Sequence, residues 1–168
     1  QGQGRVIQYR STDIVNWEFQ GEVHTNLDSF GYMWECPNLV KFGQQTILFC
    51  CPQGVENQGY NYENLYQNGY YLINGDIEDK YELSEFIEFD HGFDYYAPQL
   101  FVDENKRVII IGWMGLPEIN YPSDVDGWAH CLTIPRVLSI EAGNLKQRPV
   151  KSLEQLRTNK ETALGYAN

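Results

Sequence analysis

The sequence predicts an all-β fold of tandem antiparallel units, the organisation of a β-propeller. Short runs rich in Val, Ile, Tyr and Phe alternate with Gly, Asn, Asp and Pro along most of the chain. Only Ser152-Leu-Glu-Gln-Leu-Arg157 has helical character. A pattern also repeats. Pro37-Asn38-Leu39, a turn, then Ile47-Leu48-Phe49 recurs as Pro98-Gln99-Leu100, a turn, then Ile109-Ile110-Ile111, with the prolines 61 residues apart. Tyr9-x-x-x-Asp13-Ile14 has a looser echo in Leu72-x-x-x-Asp76-Ile77, its aspartates 63 residues apart. Blades of roughly 40–60 residues have such a period.

Taken in order, the β-branched and aromatic runs place strands at 6–10, 17–23, 38–42, 46–51, 70–74 and 81–89. Further strands follow at 99–102, 107–113 and 131–140. Phe42-Gly43-Gln44-Gln45 and Asp103-Glu104-Asn105-Lys106 are turns, each joining two apolar runs. Cys50 and Cys51, at the end of Thr46-Ile-Leu-Phe-Cys-Cys, take opposite faces if that run is a strand.

With 168 residues the chain is one domain's worth, long enough for a core. Its net charge of −11 is uneven, with −13 on residues 1–104 and +2 on residues 105–168. Such a surface repels phosphate backbones and argues against nucleic acid as a partner. The acidic run Asp76, Glu78, Asp79, Glu82, Glu85, Glu88, Asp90 reads as a solvated strand face rather than a metal site. Cys36, Cys50, Cys51 and Cys131 include no C-x-x-C pair, so no zinc site is indicated. Cys50 and Cys51 read as reduced core residues, which fits a cytoplasmic protein. No apolar run approaches the ~18 residues of a membrane span. The chain opens Gln1-Gly2-Gln3-Gly4 without a secretory pattern, and a processed, truncated or incompletely recorded chain is expected.

Met33-Trp34-Glu35-Cys36-Pro37-Asn38 is the stretch that carries chemistry. It sets one carboxylate among an indole, a thiol and a proline. Apolar surroundings disfavour the charged form of a carboxyl, as a general acid working near neutral pH requires. The competing reading is a surface Glu in a turn before a strand. The repeat adds a geometric expectation, because it superposes Glu35-Cys36-Pro37 on Tyr96-Ala97-Pro98. Equivalent blades would then aim Glu35 and Tyr96 into one central pocket. A Glu among aromatics in a funnel of strands suits glycoside hydrolysis, which also needs a second carboxylate. Trp113, in Ile111-Gly112-Trp113-Met114-Gly115, suits the apolar face of a sugar, or packs a strand end.

Several segments together resemble a known family. They are Tyr9-Arg-Ser-Thr-Asp-Ile-Val-Asn-Trp17, Met33 to Asn38, Phe93-Asp-Tyr-Tyr-Ala-Pro-Gln99, Gly112-Trp-Met114, and Leu132-Thr-Ile-Pro-Arg-Val-Leu138 followed by Gly143-Asn-Leu-Lys-Gln-Arg-Pro-Val150. In this order they resemble glycoside hydrolase family 32, the β-fructofuranosidases, and especially the bacterial sucrose-6-phosphate hydrolases. The resemblance implies a five-bladed β-propeller, of which the chain covers roughly the last three blades, and a retaining mechanism without metal or organic cofactor. Residues 1–150 would be the C-terminal part of the propeller domain. Residues 151–168 would be a linker towards an absent β-sandwich. Glu35 falls on the family's general acid/base and Cys36 on the neighbour that helps set its environment. Asp94, Tyr96 and Trp113 fall on the fructose pocket. Arg136 falls on a Pro-Arg segment, where the resemblance implies a structural role.

The chain departs from the family in one respect. Neither the N-D-P-N-G motif that holds the family's nucleophile nor the R-D-P motif that holds its transition-state stabiliser occurs here. Asp94 is the one local substitute, and its place in the pattern makes it a sugar hydrogen-bonding residue instead. The isolated chain is therefore expected to be inactive. Uncovered sheet faces should make it self-associate or need a missing N-terminal propeller segment. The alternatives are a non-catalytic sugar-binding propeller and a structural propeller without a ligand. Sucrose, sucrose-6-phosphate and short fructans all remain open as substrates, and none of the twelve basic residues is assigned to a phosphate.

Overall fold

The computed structural model describes residues 2–25, 30–162 and 165. Strands β1 (Ile7–Arg10) and β2 (Glu18–Glu22) form a hairpin. Next, β3 (Met33–Phe42), β4 (Gln45–Gln53), β5 (Gly69–Gly75) and β6 (Tyr81–Leu83) pair antiparallel in chain order, and β7 (Ile87–Glu88) returns to the start of β5. In the second sheet β8 (Tyr96–Val102) pairs with β9 (Val108–Met114). Short β10 (Cys131–Leu132) lies on the end of β9, then β11 (Arg136–Glu141) pairs with β9 and β12 (Asn144–Pro149) with β11. One 3-10 turn, Pro122–Asp126, lies between β9 and β10, and another, Lys151–Leu156, follows β12.

The repeat read from the sequence is structural. β3 and β8 hold the same place in their sheets, and both ladders slip at the same point, between Glu35 and Asn38 and between Tyr96 and Gln99. At each slip the residue before proline takes a left-handed backbone, with φ 50° at Cys36 and 47° at Ala97. The looser echo holds as well. Asp13 turns the chain between β1 and β2, its carboxylate accepting from Val15 and Asn16 N–H groups at 2.9 and 2.8 Å. Asp76 does the same between β5 and β6, accepting from Glu78 N–H at 3.0 Å. The β1–β2 hairpin is thus the counterpart of β5–β6.

Period-two alternation along β4 explains the core. Ile47 and Phe49 point to the second sheet, where they join Tyr70, Phe89, Tyr95, Val108, Ile110 and Leu138. Leu48 and Cys50 point the other way, to Val6, Val23, Trp34, Tyr71 and Phe86 on the hairpin side. β4 is therefore covered on both faces, which its unbroken apolar run anticipates. Apolar side chains remain uncovered beyond these layers, with Tyr9 and Phe19 on the hairpin and Phe101 and Val102 on β8 all exposed.

Several boundaries differ from the sequence pattern. The expected strand at 81–89 is two short strands. Between them the Ser84 hydroxyl accepts from Leu72 N–H at 2.9 Å and donates to Glu85 C=O at 2.7 Å, displacing ladder bonds. The expected strand at 131–140 is also broken, because Thr133 bonds Gly112 through both its N–H and its hydroxyl and Pro135 brings no N–H. β12 carried no strand signal, since Asn144-Leu-Lys-Gln-Arg-Pro149 is the polar, charged composition of an edge strand. β3 begins at Met33, so Glu35 lies within a strand and not in a turn before one.

The acidic run also differs from a uniformly solvated face. The Glu88 side chain is only 8% exposed, and its carboxylate accepts from Tyr62 N–H at 3.2 Å. Asp90 pairs with Arg136 at 2.7 Å. That same guanidinium donates to Gln147 Oε1 at 2.6 Å and lies 5.2 Å from the Tyr95 ring centre, so Arg136 ties the second sheet together.

Candidate active site

The site grows from the two bulges. Trp34 anchors the start of β3, stacked at 5.2 Å on Tyr71 with its indole N–H donating to Phe30 C=O at 2.6 Å. One residue on, alternation sends Glu35 to the opposite face, where Cys51 is its cross-strand partner. Asn38 then stitches bulge to bulge. Its amide donates to Cys36 C=O at 2.8 Å and Pro98 C=O at 3.2 Å, and its carbonyl accepts from Leu100 N–H at 3.2 Å.

This registration brings Tyr96 to Glu35. The Tyr96 hydroxyl donates to Glu35 Oε2 at 2.8 Å and accepts from Gln53 Nε2 at 2.9 Å. Gln53 Oε1 in turn accepts from the Tyr32 hydroxyl at 3.0 Å. The result is a directed relay, Tyr32 to Gln53 to Tyr96 to Glu35. Burial, which outweighs the Gln53 hydrogen bond, pushes the Tyr96 phenol well up, so it stays a donor throughout the neutral range.

Beneath the pair lies a small apolar cluster of Cys51, Tyr96 and Leu116, with Cys36, Tyr66, Ala97 and Trp113 packed against it. Trp113 is the cross-strand partner of Tyr96, its ring centre 6.5 Å from the phenol ring. It packs on His130 at 4.9 Å, and His130 meets Tyr121 edge-on at 4.5 Å. A side chain at Gly115 would collide with both the indole and His130, which accounts for glycine after Met114. Asp94 joins at the end of this aromatic run. It has φ 55°, and burial together with the nearby Asp94 carboxylate pushes up the Tyr121 phenol, whose hydroxyl accepts from Leu116 N–H at 3.1 Å. Of the five residues singled out from sequence, the structure gathers Glu35, Cys36, Tyr96 and Trp113 directly, and Asp94 through Tyr121 and His130.

Gln53, Tyr66, Tyr121 and His130 were missed from sequence. Gln53 was accessible in principle, being two residues after Cys51 and so on the same face of β4. The others come from connecting segments whose positions no periodicity reveals. The Tyr66 ring lies tilted against Tyr96 with centres 5.3 Å apart, and its hydroxyl donates to Glu118, a hydrogen bond that pushes its phenol up to about 12. The wall thus offers flat aromatic surface around one hydrogen-bonded carboxylate, an arrangement able to deliver or accept a proton beside a sugar.

The family model for the N-terminal domain of glycosyl hydrolases family 32 matches residues 1–149. The chain belongs to glycoside hydrolase family 32. Among family 32 relatives, the sucrose-6-phosphate hydrolase of Staphylococcus xylosus is 65% identical over 167 residues, covering 99% of this chain and 34% of that protein. That of Bacillus subtilis is 39% identical over 165 residues, covering 93% and 34%. Solved family 32 structures agree. The Bombyx mori β-fructofuranosidase superposes with a TM-score of 0.84 at 36% identity, covering 92% of this chain and 34% of that one. The sucrose-6-phosphate hydrolase of Lactobacillus gasseri gives 0.83 at 35%, covering 92% and 33%. The chain thus spans about a third of the length of the relatives it matches. The family read from the ordered motifs is therefore correct.

Proposed function

We propose that the chain is the C-terminal part of the propeller domain of a retaining β-fructofuranosidase of sucrose-6-phosphate hydrolase type. Residues 1–150 form roughly the last three of five blades, and residues 151–168 lead towards a β-sandwich domain. The observation that carries the reading is the Tyr96–Glu35 hydrogen bond, made from equivalent bulges of neighbouring sheets. The β1–β2 hairpin, standing where an outer pair of strands would stand, supports the blade arrangement.

In this reading Glu35 protonates the glycosidic oxygen as the bond to fructose breaks. A carboxylate nucleophile from the preceding part of the domain takes the fructosyl group. Glu35 then removes a proton from the water that releases it, as the retaining mechanism requires. Trp113 and Tyr96 wall the fructose pocket, Cys36 shapes the surroundings of the acid, and Asp94 hydrogen-bonds the sugar. No metal or organic cofactor takes part. Four free thiols support a reducing, cytoplasmic setting.

Glu35→Gln in the full-length protein tests the reading. Loss of general acid/base catalysis should lower fructoside turnover about 10²–10⁴-fold while sugar affinity, measured by calorimetry, changes little. Unchanged turnover would remove Glu35 from the mechanism. A protein that binds fructosides without turning them over before substitution would be a binding propeller.

A further inference from the structure

Two thiols lie beside Glu35, and neither forms or breaks a bond in the proposed fructosyl transfer. Cys51 on β4 is the partner of Glu35 across the ladder, and Cys36 follows Glu35 in the bulge. The left-handed backbone there leaves Cys36 packed against the small buried cluster that holds Cys51. Cys51 is wholly buried, and Cys36 and Ala97, one residue from each bulge, pack against its cluster. Cys36 is only partly buried. Cys50, although adjacent in sequence, is buried in the cluster on the opposite face. Cys51 faces Glu35, and facing residues of an antiparallel ladder have Cα atoms about 4.5–5.5 Å apart; Cys36 is the next residue along, which puts the two cysteines near the span that a disulfide bridges.

The two thiols differ as an attacking and a resolving group do. The hydrogen bond from Cys51 lowers the Cys36 thiol to about 7. The Cys36 sulfur, together with burial, pushes Cys51 far up. A partly accessible thiolate therefore sits against a buried thiol that keeps its proton.

We infer that Cys36 and Cys51 form a peroxide-sensitive pair whose oxidation to a disulfide reversibly disables the site around Glu35. The Cys36 thiolate attacks one oxygen of a hydroperoxide, the O–O bond breaks, and Cys36 becomes a sulfenic acid as hydroxide leaves. The Cys51 sulfur then attacks Cys36, its proton passing to the departing hydroxyl, so that the S–S bond forms and water is released. With hydrogen peroxide the net change converts two thiols and one peroxide to a disulfide and two waters. A dithiol reverses it by exchange. Closing the bond moves Cys36, which shares a peptide with Glu35, and shifts the Cys51 sulfur in the cluster against which Ala97 packs beside Tyr96. Both ends of the Tyr96–Glu35 hydrogen bond shift together. The modification is independent of the hydrolase reading, whereas its effect on hydrolysis rests on it.

The test uses the full-length protein treated with hydrogen peroxide and digested by trypsin without reduction. Cleavage after Lys41 separates the two cysteines. The expected product links the peptide bearing Cys36 to that bearing Cys51, at a mass two hydrogens below their sum. It should persist in Cys50→Ala and Cys131→Ala and vanish in Cys51→Ala. Hydrolysis should fall about 10²-fold, as for a misplaced catalytic group, and return with dithiothreitol. In Cys51→Ala the loss should not return, because Cys36 proceeds to the sulfinic acid. Unlinked peptides after treatment, or a link made through Cys131, would overturn the pairing. A reversible link that leaves hydrolysis unchanged would overturn the coupling to Glu35 while the thiol chemistry stands.

Discussion

The Tyr96 hydroxyl donates to Glu35 Oε2 at 2.8 Å, joining residues 61 positions apart that occupy the same bulge in neighbouring sheets. The bond is thus a product of the repeat. Each unit presents the residue before its bulge at the same end of the first strand, and packing sheet on sheet brings those two residues into contact.

Tyr96→Phe keeps the ring that packs beside Trp113 and removes only the donor. A hydrogen bond to a charged group contributes about 1.5–3 kcal/mol, so kcat/KM for fructoside hydrolysis in the full-length protein should fall roughly 10- to 150-fold, mostly in kcat. Steady-state kinetics equal to the parent's would show that the bond does not serve the reaction.

Asn38→Ala removes the side chain that spans both bulges. Leu100 N–H loses its acceptor and the Cys36 and Pro98 carbonyls lose a donor. Leaving such groups unpaired costs about 1–3 kcal/mol, which urea denaturation would read as a lower midpoint. Turnover should drop as well, because Glu35 and Tyr96 flank the two loosened segments. A midpoint equal to the parent's would contradict this role.

Ile47 and Phe101 separate the core from the open face. Ile47 is 0% exposed between the two sheets, and Ile47→Ala should cost about 2–5 kcal/mol. Phe101 is 49% exposed, on the face of β8 opposite Leu100, which packs into the inter-sheet core. In the full-length protein the proposed propeller would cover that face, so Phe101→Ala should there cost roughly 3 kcal/mol. Near-neutral stability of that variant would argue against a blade or domain packed on β8.

Cys36 should react as a low-pKa thiol. Its thiolate fraction rises with pH, so iodoacetamide labelling should climb through an inflection near pH 7, below the ~8.5 of an ordinary thiol. Cys51→Ala removes the hydrogen-bond donor and should move the inflection upward. An unchanged inflection would assign the lowering to some other group.

Much of this was legible locally. Aromatic and β-branched runs between Gly, Asn, Asp and Pro marked the inner strands, and the Phe42–Gln45 and Asp103–Lys106 turns were visible because turn chemistry is local. Edges were less legible. β12 is polar since only one of its faces is covered, and the 81–89 and 131–140 runs break where Ser84 and Thr133 hydroxyls replace ladder bonds. Composition records burial, and edge strands have little of it to record.

The same division holds for the site. Ordered motifs in the linear chain were sufficient for the family, because residue type and spacing carry that information. The repeat also implied that Glu35 and Tyr96 face the same region, and the hydrogen bond between them joins the two. The Gln53 and Tyr32 relay, the link from Asp94 through Tyr121 and His130 to Trp113, and the Cys36–Cys51 contact came only with the packed molecule. Each depends on strand register or on where a connecting segment comes to rest. Those are set by the simultaneous packing of distant side chains, which no local window of sequence contains.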